Sequence, residues 1–187
     1  DEDIATCLLA GIIAKTRSFK TAYMTPGALS IAAQLIAMGA RREEIVNRLY
    51  RSRSLKVLKL WGRVLARLSS SSDDKLVWSI ISRDDFALTG AGENDLSDVV
   101  DELMINMPQA KIIIIIYETE ARDQDTAQIM TKALVFTTGN INALDLVKNY
   151  QPAGTKNLAK ITLAKPLADA EKEIGLTLKN NLEKLPF

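Results

Sequence analysis

The chain has 187 residues, 47% of them hydrophobic, 25% charged and 5% aromatic, a globular composition with enough apolar material for one medium core or two small ones. It contains no histidine and a single cysteine, which excludes Ser-His-Asp triads, Cys-His pairs, His-ligated zinc, internal disulfides and cysteine-rich metal sites within it. The formal charge is only +1, but residues 1–67 carry 12 basic and 5 acidic side chains while residues 68–187 carry 12 and 18, so the two parts of the chain are expected to work differently.

Asp1-Glu2-Asp3, without a starting methionine, reads as the start of a fragment of a longer protein. Residues 3–14 predict a helix, with Ile4, Leu8, Leu9, Ile12 and Ile13 apolar and the three acids at its positive end. Cys7, inside Cys7-Leu8-Leu9-Ala10, is expected to be a small core residue. Lys15–Thr21 breaks the pattern. Thr25-Pro26 then starts a second helix, Thr25 as cap and Pro26 at the first helical position, and Gly39 stops it. A shorter helix follows over Arg42–Tyr50, with Ile45 and Leu49 on one face.

Ser54 is placed to cap a helix over Leu55–Leu68. Its Lys56, Lys59, Arg63 and Arg67 share one narrow stripe, Arg53 projects near the same line, and Leu55, Leu58, Leu65 and Leu68 form an opposing apolar strip. Ser69–Asp74 reads as a linker and domain boundary. Beyond it, strands are predicted over Lys75–Arg83, Phe86–Thr89, Lys111–Glu118, Ala127–Thr137 and Leu158–Leu163. A turn is expected at Asp84-Asp85, a loop over Gly90–Asn94 and a Pro/Gly turn over Gln151–Lys156. Helices are predicted over Asp95–Met107, Asn142–Tyr150 and Leu167–Leu185. This part is α/β with a mixed sheet. The longest aliphatic run, Ile112–Ile116, is far too short to span a bilayer. No leader pattern opens the chain, and a reducing, cytoplasmic setting is expected.

The basic stripe is the strongest feature. Arg41 to Arg67 holds nine Lys/Arg and only Glu43 and Glu44. Regular cationic spacing suits a polyanion, because neutralised phosphates release condensed counterions. The stripe also fits a solvated helix face, or one paired with acids from elsewhere. At Pro152–Asn157, Gly154 permits unusual backbone angles, and neighbouring N–H groups with Lys156 could cradle a phosphate. The same spacing fits an ordinary turn. Lys15, Thr16, Arg17 and Ser18 with Phe19 mix cations, hydroxyls and an aromatic ring, as a phosphate and base contact or a plain surface loop would. Asp84, Asp85, Asp98, Asp101, Glu102, Asp123 and Asp125 read as turn and exposed-helix residues, with no metal-ligand spacing.

The segment Ala5-Thr6-Cys7-Leu8-Leu9-Ala10-Gly11-Ile12-Ile13-Ala14-Lys15-Thr16-Arg17-Ser18-Phe19 resembles a stretch of the DHH phosphoesterases. That superfamily includes RecJ-type single-strand exonucleases, oligoribonuclease/phosphoadenosine-phosphate phosphatases and exopolyphosphatase-like proteins. Thr25-Pro26, Met38-Gly39-Ala40, Glu43-Glu44-Ile45 and Leu49-Tyr50 resemble the way these catalytic domains end. Val135-Phe136-Thr137-Thr138 and Ala153-Gly154-Thr155-Lys156-Asn157-Leu158-Ala159-Lys160 fall where the DHH-associated domain has a Ser-Leu-Arg-Ser-like strand and a Gly-Gly-Gly-His motif.

The resemblance implies residues 1–52 as the helical end of a DHH domain, 53–74 as connecting helix and linker, and 75–187 as the associated substrate-binding domain. It implies a two-lobed phosphoesterase acting on short oligonucleotides or nucleotide phosphates. Paired Mn²⁺ ions would be held by an upstream lobe and no cofactor by this chain, which alone would be inactive. Gly154, Thr155, Lys156 and Asn157 would hold terminal phosphate, with Thr137 and Thr138 assisting. Lys15, Thr16 and Arg17 would face the same cleft. The family's metal-binding aspartate is Lys15 here, and its substrate-gripping histidine is Thr155. The other reading is a catalytically degenerate nucleic-acid- or nucleotide-binding regulatory module. Expected partners are single-stranded nucleic acid or nucleotide phosphates and the upstream lobe, with no membrane; a homodimer is left open.

Overall fold

The computed structural model describes residues 1–16, 18–19, 24–50, 54–120 and 129–182, with backbone alone at 98, 101, 102, 104, 105, 120 and 129. The chain divides into two compact units, Asp1–Ser54 and Leu55–Phe187. The first holds α1 (Glu2–Lys15), α2 (Pro26–Ala37) and α3 (Arg42–Tyr50). The expected Thr25-Pro26 start acts, and α1 begins one residue before its expected bound with Asp1 as its cap. The Asp1 carboxylate accepts from the Ile4 N–H at 2.9 Å, and the Thr25 hydroxyl from the Ala28 N–H at 3.2 Å. Gly39, at φ 93°, ends α2. The small core gathers Ala5, Leu9, Ile13, Ala32, Leu35, Ala40 and Ile45.

Cys7 is exposed, contrary to the core position expected of it. The buried line of α1 is Ala5, Leu9 and Ile13. At 100° per residue, Cys7 sits about 200° around the helix from Ala5. Ile4, Leu8 and, on α3, Leu49 also face solvent.

The second unit begins with α4 (Leu55–Ala66) and continues through β1 (Ser69–Ser70), β2 (Leu76–Ile81), α5 (Arg83–Thr89), α6 (Leu96–Asn106), β3 (Ile112–Glu120) and β4 (Ile129–Thr137). It ends with α7 (Ala143–Leu146), β5 (Ala153–Thr155), β6 (Leu158–Leu163) and α8 (Leu167–Leu182). The strands form one mixed sheet in the order β1-β2-β3-β4-β6-β5. Only β2 and β3 run parallel, and the other neighbours are antiparallel. One sheet face packs with α7 and α8 around Ile112, Ile114, Ile116, Val135, Ile161 and Ile174. The other packs with α4 and α6 around Leu60, Val64, Val77, Leu96, Val100, Ile113 and Ile115.

Five local expectations change. Ser69 and Ser70 pair with Trp78 and Val77 as an edge strand, so the serine segment is not a linker. Helix α4 is part of the second core: Leu60 and Val64 are fully buried, while Leu55, Leu58 and Leu65 of the expected apolar strip are exposed. Phe86–Thr89 is helical, and Asp84-Asp85 lies in the first turn of that helix. Ser82 and Asp85 form a capping box there, a local signal stronger than the short β-like run. Finally, the expected turn over Gln151–Lys156 contains strand β5, and the tight reversal is at Lys156-Asn157. The 142–150 segment splits into α7 and a 3₁₀ turn at Lys148–Tyr150.

Candidate functional site

In the first unit, the segment after α1 is closely held. The Thr16 hydroxyl donates to the Ile12 carbonyl at 2.7 Å and accepts from the Phe19 N–H at 3.1 Å. The Ile13 carbonyl accepts from the Ser18 N–H at 2.9 Å and the Tyr50 hydroxyl at 3.0 Å. Ser18 and Phe19 both sit at left-handed φ, 60° and 68°, a conformation that costs non-glycine residues energy. Thr16 is buried and acts as the cap of α1. Thr16→Val should therefore lower stability by about 1–2 kcal/mol, read by urea unfolding, because the orphan groups at the helix end lose their partner. Lys15 is the last residue of α1 and is exposed. Arg17 lies outside the described residues.

On the helix carrying the basic stripe, three of the four described cations have acidic partners in the same unit, and two carboxylates serve all three. Asp85 is 1% exposed and pairs with Arg67 and, at 3.8 Å, with Arg63. Lys56 lies 3.7 Å from Asp95. Lys59 is exposed with no ion pair among the described residues, and Arg53 lies outside them. In the first unit Arg41 binds Glu2, Asp3 and Glu44 at 3.1, 2.8 and 3.1 Å, and Arg48 binds Glu44 at 2.8 Å. The acids that pair with α4 come from this chain, on α5 and just before α6. Asp98, Asp101 and Glu102 have no described side chains, and Asp123 and Asp125 lie outside the described residues.

The turn in the second unit is a built feature. Gly154 sits at φ 141°, and a Cβ there would lie 2.1 Å from the Leu158 carbonyl oxygen, so only glycine fits. The turn's carbonyls point into the unit. The Ala143 N–H donates to the Lys156 carbonyl at 2.6 Å and the Thr137 N–H to the Asn157 carbonyl at 3.1 Å. The Asn157 amide donates back to the Thr137 carbonyl at 3.4 Å. Thr137 is fully buried, and its hydroxyl donates to the Ile141 carbonyl at 2.8 Å. It braces the turn instead of facing a ligand. Thr138 donates to the Ala110 carbonyl at 3.3 Å. Thr155, Lys156 and Asn157 are exposed.

Strand register joins this turn to residues that motif reading missed. Directly opposed residues of an antiparallel pair share a face. One row is therefore Phe136, Leu158 and Thr155, the next Leu134, Lys160 and Ala153, and the third Tyr117, Lys132 and Thr162. Neighbouring strands lie about 4.8 Å apart, so Thr155, Lys160, Lys132 and the Phe136 ring form one patch. Leu134 at its centre is buried; Phe136 and Leu158 are half-buried; Lys160 and Thr162 are exposed. A cavity of about 410 Å³ at this end is lined by Glu93, Tyr117, Lys132, Lys160 and Thr162, among others. The Tyr117 hydroxyl donates to Glu93 at 2.7 Å, and the Lys132 ammonium lies 3.1 Å from the same carboxylate. Burial pushes the Tyr117 phenol up, and the Glu93 carboxylate adds to it. Burial also works to raise Glu93, but the Tyr117 hydroxyl and Lys132 outweigh it and hold the carboxyl below its ordinary value. Period-two alternation could have flagged the patch. In Ala159–Leu163, Lys160 and Thr162 interrupt Ala159, Ile161 and Leu163.

Among the described residues, no three acidic or cysteine side chains gather as a metal site. Lys15 places an ammonium where the resemblance implies a metal-binding carboxylate, and that donor does not fit Mn²⁺. No helix among the described residues is long and apolar enough to cross a membrane.

No family model matches the chain. Over 98 residues it is 32% identical to the bifunctional oligoribonuclease and PAP phosphatase NrnA of Thermus thermophilus, a match that takes in 52% of this chain and 28% of that protein. Its fold matches an exopolyphosphatase-related protein from Bacteroides fragilis with a TM-score of 0.76 at 16% identity, covering 94% of this chain and 49% of the other. The chain thus spans about half the length of that solved relative. The chain is thus similar in sequence, over about half its length, to that oligoribonuclease and phosphatase, and it shares the fold of about half of the exopolyphosphatase-related protein.

Proposed function

We propose that the second unit binds the phosphate-bearing end of a short single-stranded oligonucleotide or a nucleotide on the patch of Thr155, Lys160, Lys132 and Phe136. In this reading it works within a phosphoesterase whose metal-holding lobe lies outside this chain. The observation that carries the reading is the register. It aligns the position of the family's gripping residue, Thr155, with an aromatic ring and sets an exposed ammonium one row away. An aromatic face stacks a base, and a nearby ammonium neutralises phosphate. Lys156, exposed on the adjoining turn, adds a second cation. The Lys132 ammonium is already engaged by Glu93, so it shapes the patch more than it binds phosphate.

The test is fluorescence anisotropy with a short single-stranded RNA and its DNA equivalent at two salt concentrations. Lys160→Ala should weaken binding about tenfold and flatten the salt dependence by about one phosphate contact. Phe136→Ala should weaken it about tenfold at either salt, since stacking contributes about 1–3 kcal/mol per base. Unchanged affinity in both variants would overturn the assignment.

A second reading, a regulatory module that binds without hydrolysing, is favoured by Lys15 and Thr155 at positions where the family has a metal ligand and a gripping histidine. Hydrolysis measured with Mn²⁺ in a protein that includes the upstream lobe separates the two. Turnover supports the enzyme, and salt-sensitive binding without turnover supports the module.

A further inference from the structure

A second cavity, of about 800 Å³, opens in the second unit between the β1–β2 edge of the sheet and α8, and shares no lining residue with the one beside Lys132. Its volume is in the range of small-molecule sites. Leu76 and Trp78 line it from the sheet, and Lys172, Gly175, Leu176 and Lys179 from the helix. Those four helical positions are spaced i, i+3, i+4 and i+7, so they form one stripe. The Trp78 indole N–H donates to the Glu171 carboxylate at 3.0 Å. That bond satisfies the polar edge of the ring and fixes the ring in the wall.

Gly175 is the informative residue. It lies in the middle of a 16-residue helix without a left-handed φ. A Cβ there would meet nothing within 4 Å. Glycine destabilises a helix interior relative to alanine, and neither backbone conformation nor packing requires it here. Its missing side chain keeps the cavity wide opposite Trp78.

The charges select the ligand. Lys172 and Lys179 are exposed and have no ion pair among the described residues. They stand two helical turns apart, about 10 Å. The single lining carboxylate, Glu171, is engaged by Trp78. An apolar wall with an indole, rimmed by two ammonium groups, suits a molecule with a planar apolar body and one anionic group. The geometry points to this cavity as a binding site for a small aromatic anion, separate from the phosphate patch.

The probe is 8-anilinonaphthalene-1-sulfonate, an aromatic sulfonate, titrated into the 187-residue chain carrying Trp61→Phe. The chain has two tryptophans, so Trp78 is then the sole indole; its quenching reports bound dye, and the cavity variants assign that dye to this site. Saturable quenching is expected. Gly175→Leu, which fills the cavity, and Lys172→Ala with Lys179→Ala should each raise Kd at least tenfold, with circular dichroism unchanged. Added salt should weaken binding in the parent and not in the double-lysine variant. If Gly175→Leu alone fails to fold, the double-lysine variant decides. The proposal is overturned by absence of saturable quenching, or by a Kd that changes less than tenfold in the folded variants.

Discussion

Asp85→Ala should lower the unfolding free energy by about 3 kcal/mol, the largest loss expected from any single acidic residue described. The Asp85 side chain is buried, and its Oδ2 accepts from the Ser82 N–H at 2.9 Å, the Ser82 hydroxyl at 2.8 Å and Arg67. Removing it strips a helix start of its capping box and leaves inward-facing donors unmatched, at about 1–3 kcal/mol for an orphaned buried group. Arg67 and Arg63 are more than a third exposed. They can turn to water, which keeps the loss below that of a fully buried ion pair. The carboxyl also sets a pH dependence. Burial works to raise it, but the Ser82 N–H and hydroxyl, then Arg67, outweigh burial and hold it below the ordinary aspartate value. A depressed carboxyl contributes stability that is fully present above the unfolded value, about 3.9, and is lost as pH falls through the lower folded value. Urea unfolding at pH 7 and near pH 2 should show a larger difference between parent and Asp85→Asn at the higher pH. An equal difference at both would contradict the assignment. The same variant has a functional consequence. It frees Arg63 and Arg67, so any non-specific affinity of α4 for a polyanion should rise and become more salt-sensitive.

Gly154→Ala should cost about 3 kcal/mol or more and disrupt the β5–β6 pair. The added Cβ would lie 2.1 Å from a backbone carbonyl oxygen that belongs to the partner strand. That atom cannot rotate away as a side chain would. The φ of 141° adds the strain of a backbone region that is nearly glycine-only. Relief requires moving Ala153–Thr155 away from Leu158–Lys160, which removes Thr155 from its row beside Phe136. Binding of a short oligonucleotide should therefore fall with stability. A melting curve, together with anisotropy measured well below the transition, distinguishes the two losses. A parent-like melting temperature would show that the turn has another low-energy conformation.

The turn proposed to meet phosphate is legible in the sequence as Gly154 with Lys156 two residues on, but its surroundings are not. Thr137 looked like a ligand contact because it lies next to the family's strand motif. Its burial and its bond to Ile141 are decided by residues that fold beneath it. Lys160 and Phe136 stand 24 positions apart in sequence and meet because β4 and β6 are neighbours, with Leu134 opposite Lys160 and Phe136 opposite Leu158. No motif of fixed spacing contains both. On α4 the missing information is electrostatic. Helical periodicity aligned Lys56, Lys59, Arg63 and Arg67, yet it carried no information about Asp85 and Asp95, which lie outside that helix.

Composition and local pattern alone determined the absence of histidine chemistry, the helix start at Thr25, and the α/β grammar after residue 75. Those properties arise within one or two turns of chain, where caps, proline and alternation act on nearest neighbours. Tertiary structure decided which cations have partners, which threonines are braces and which end of a packed sheet face stays exposed. These depend on groups brought together from distant positions, and Coulombic and hydrogen-bond energies fall off over a few ångströms of space without regard to distance along the chain.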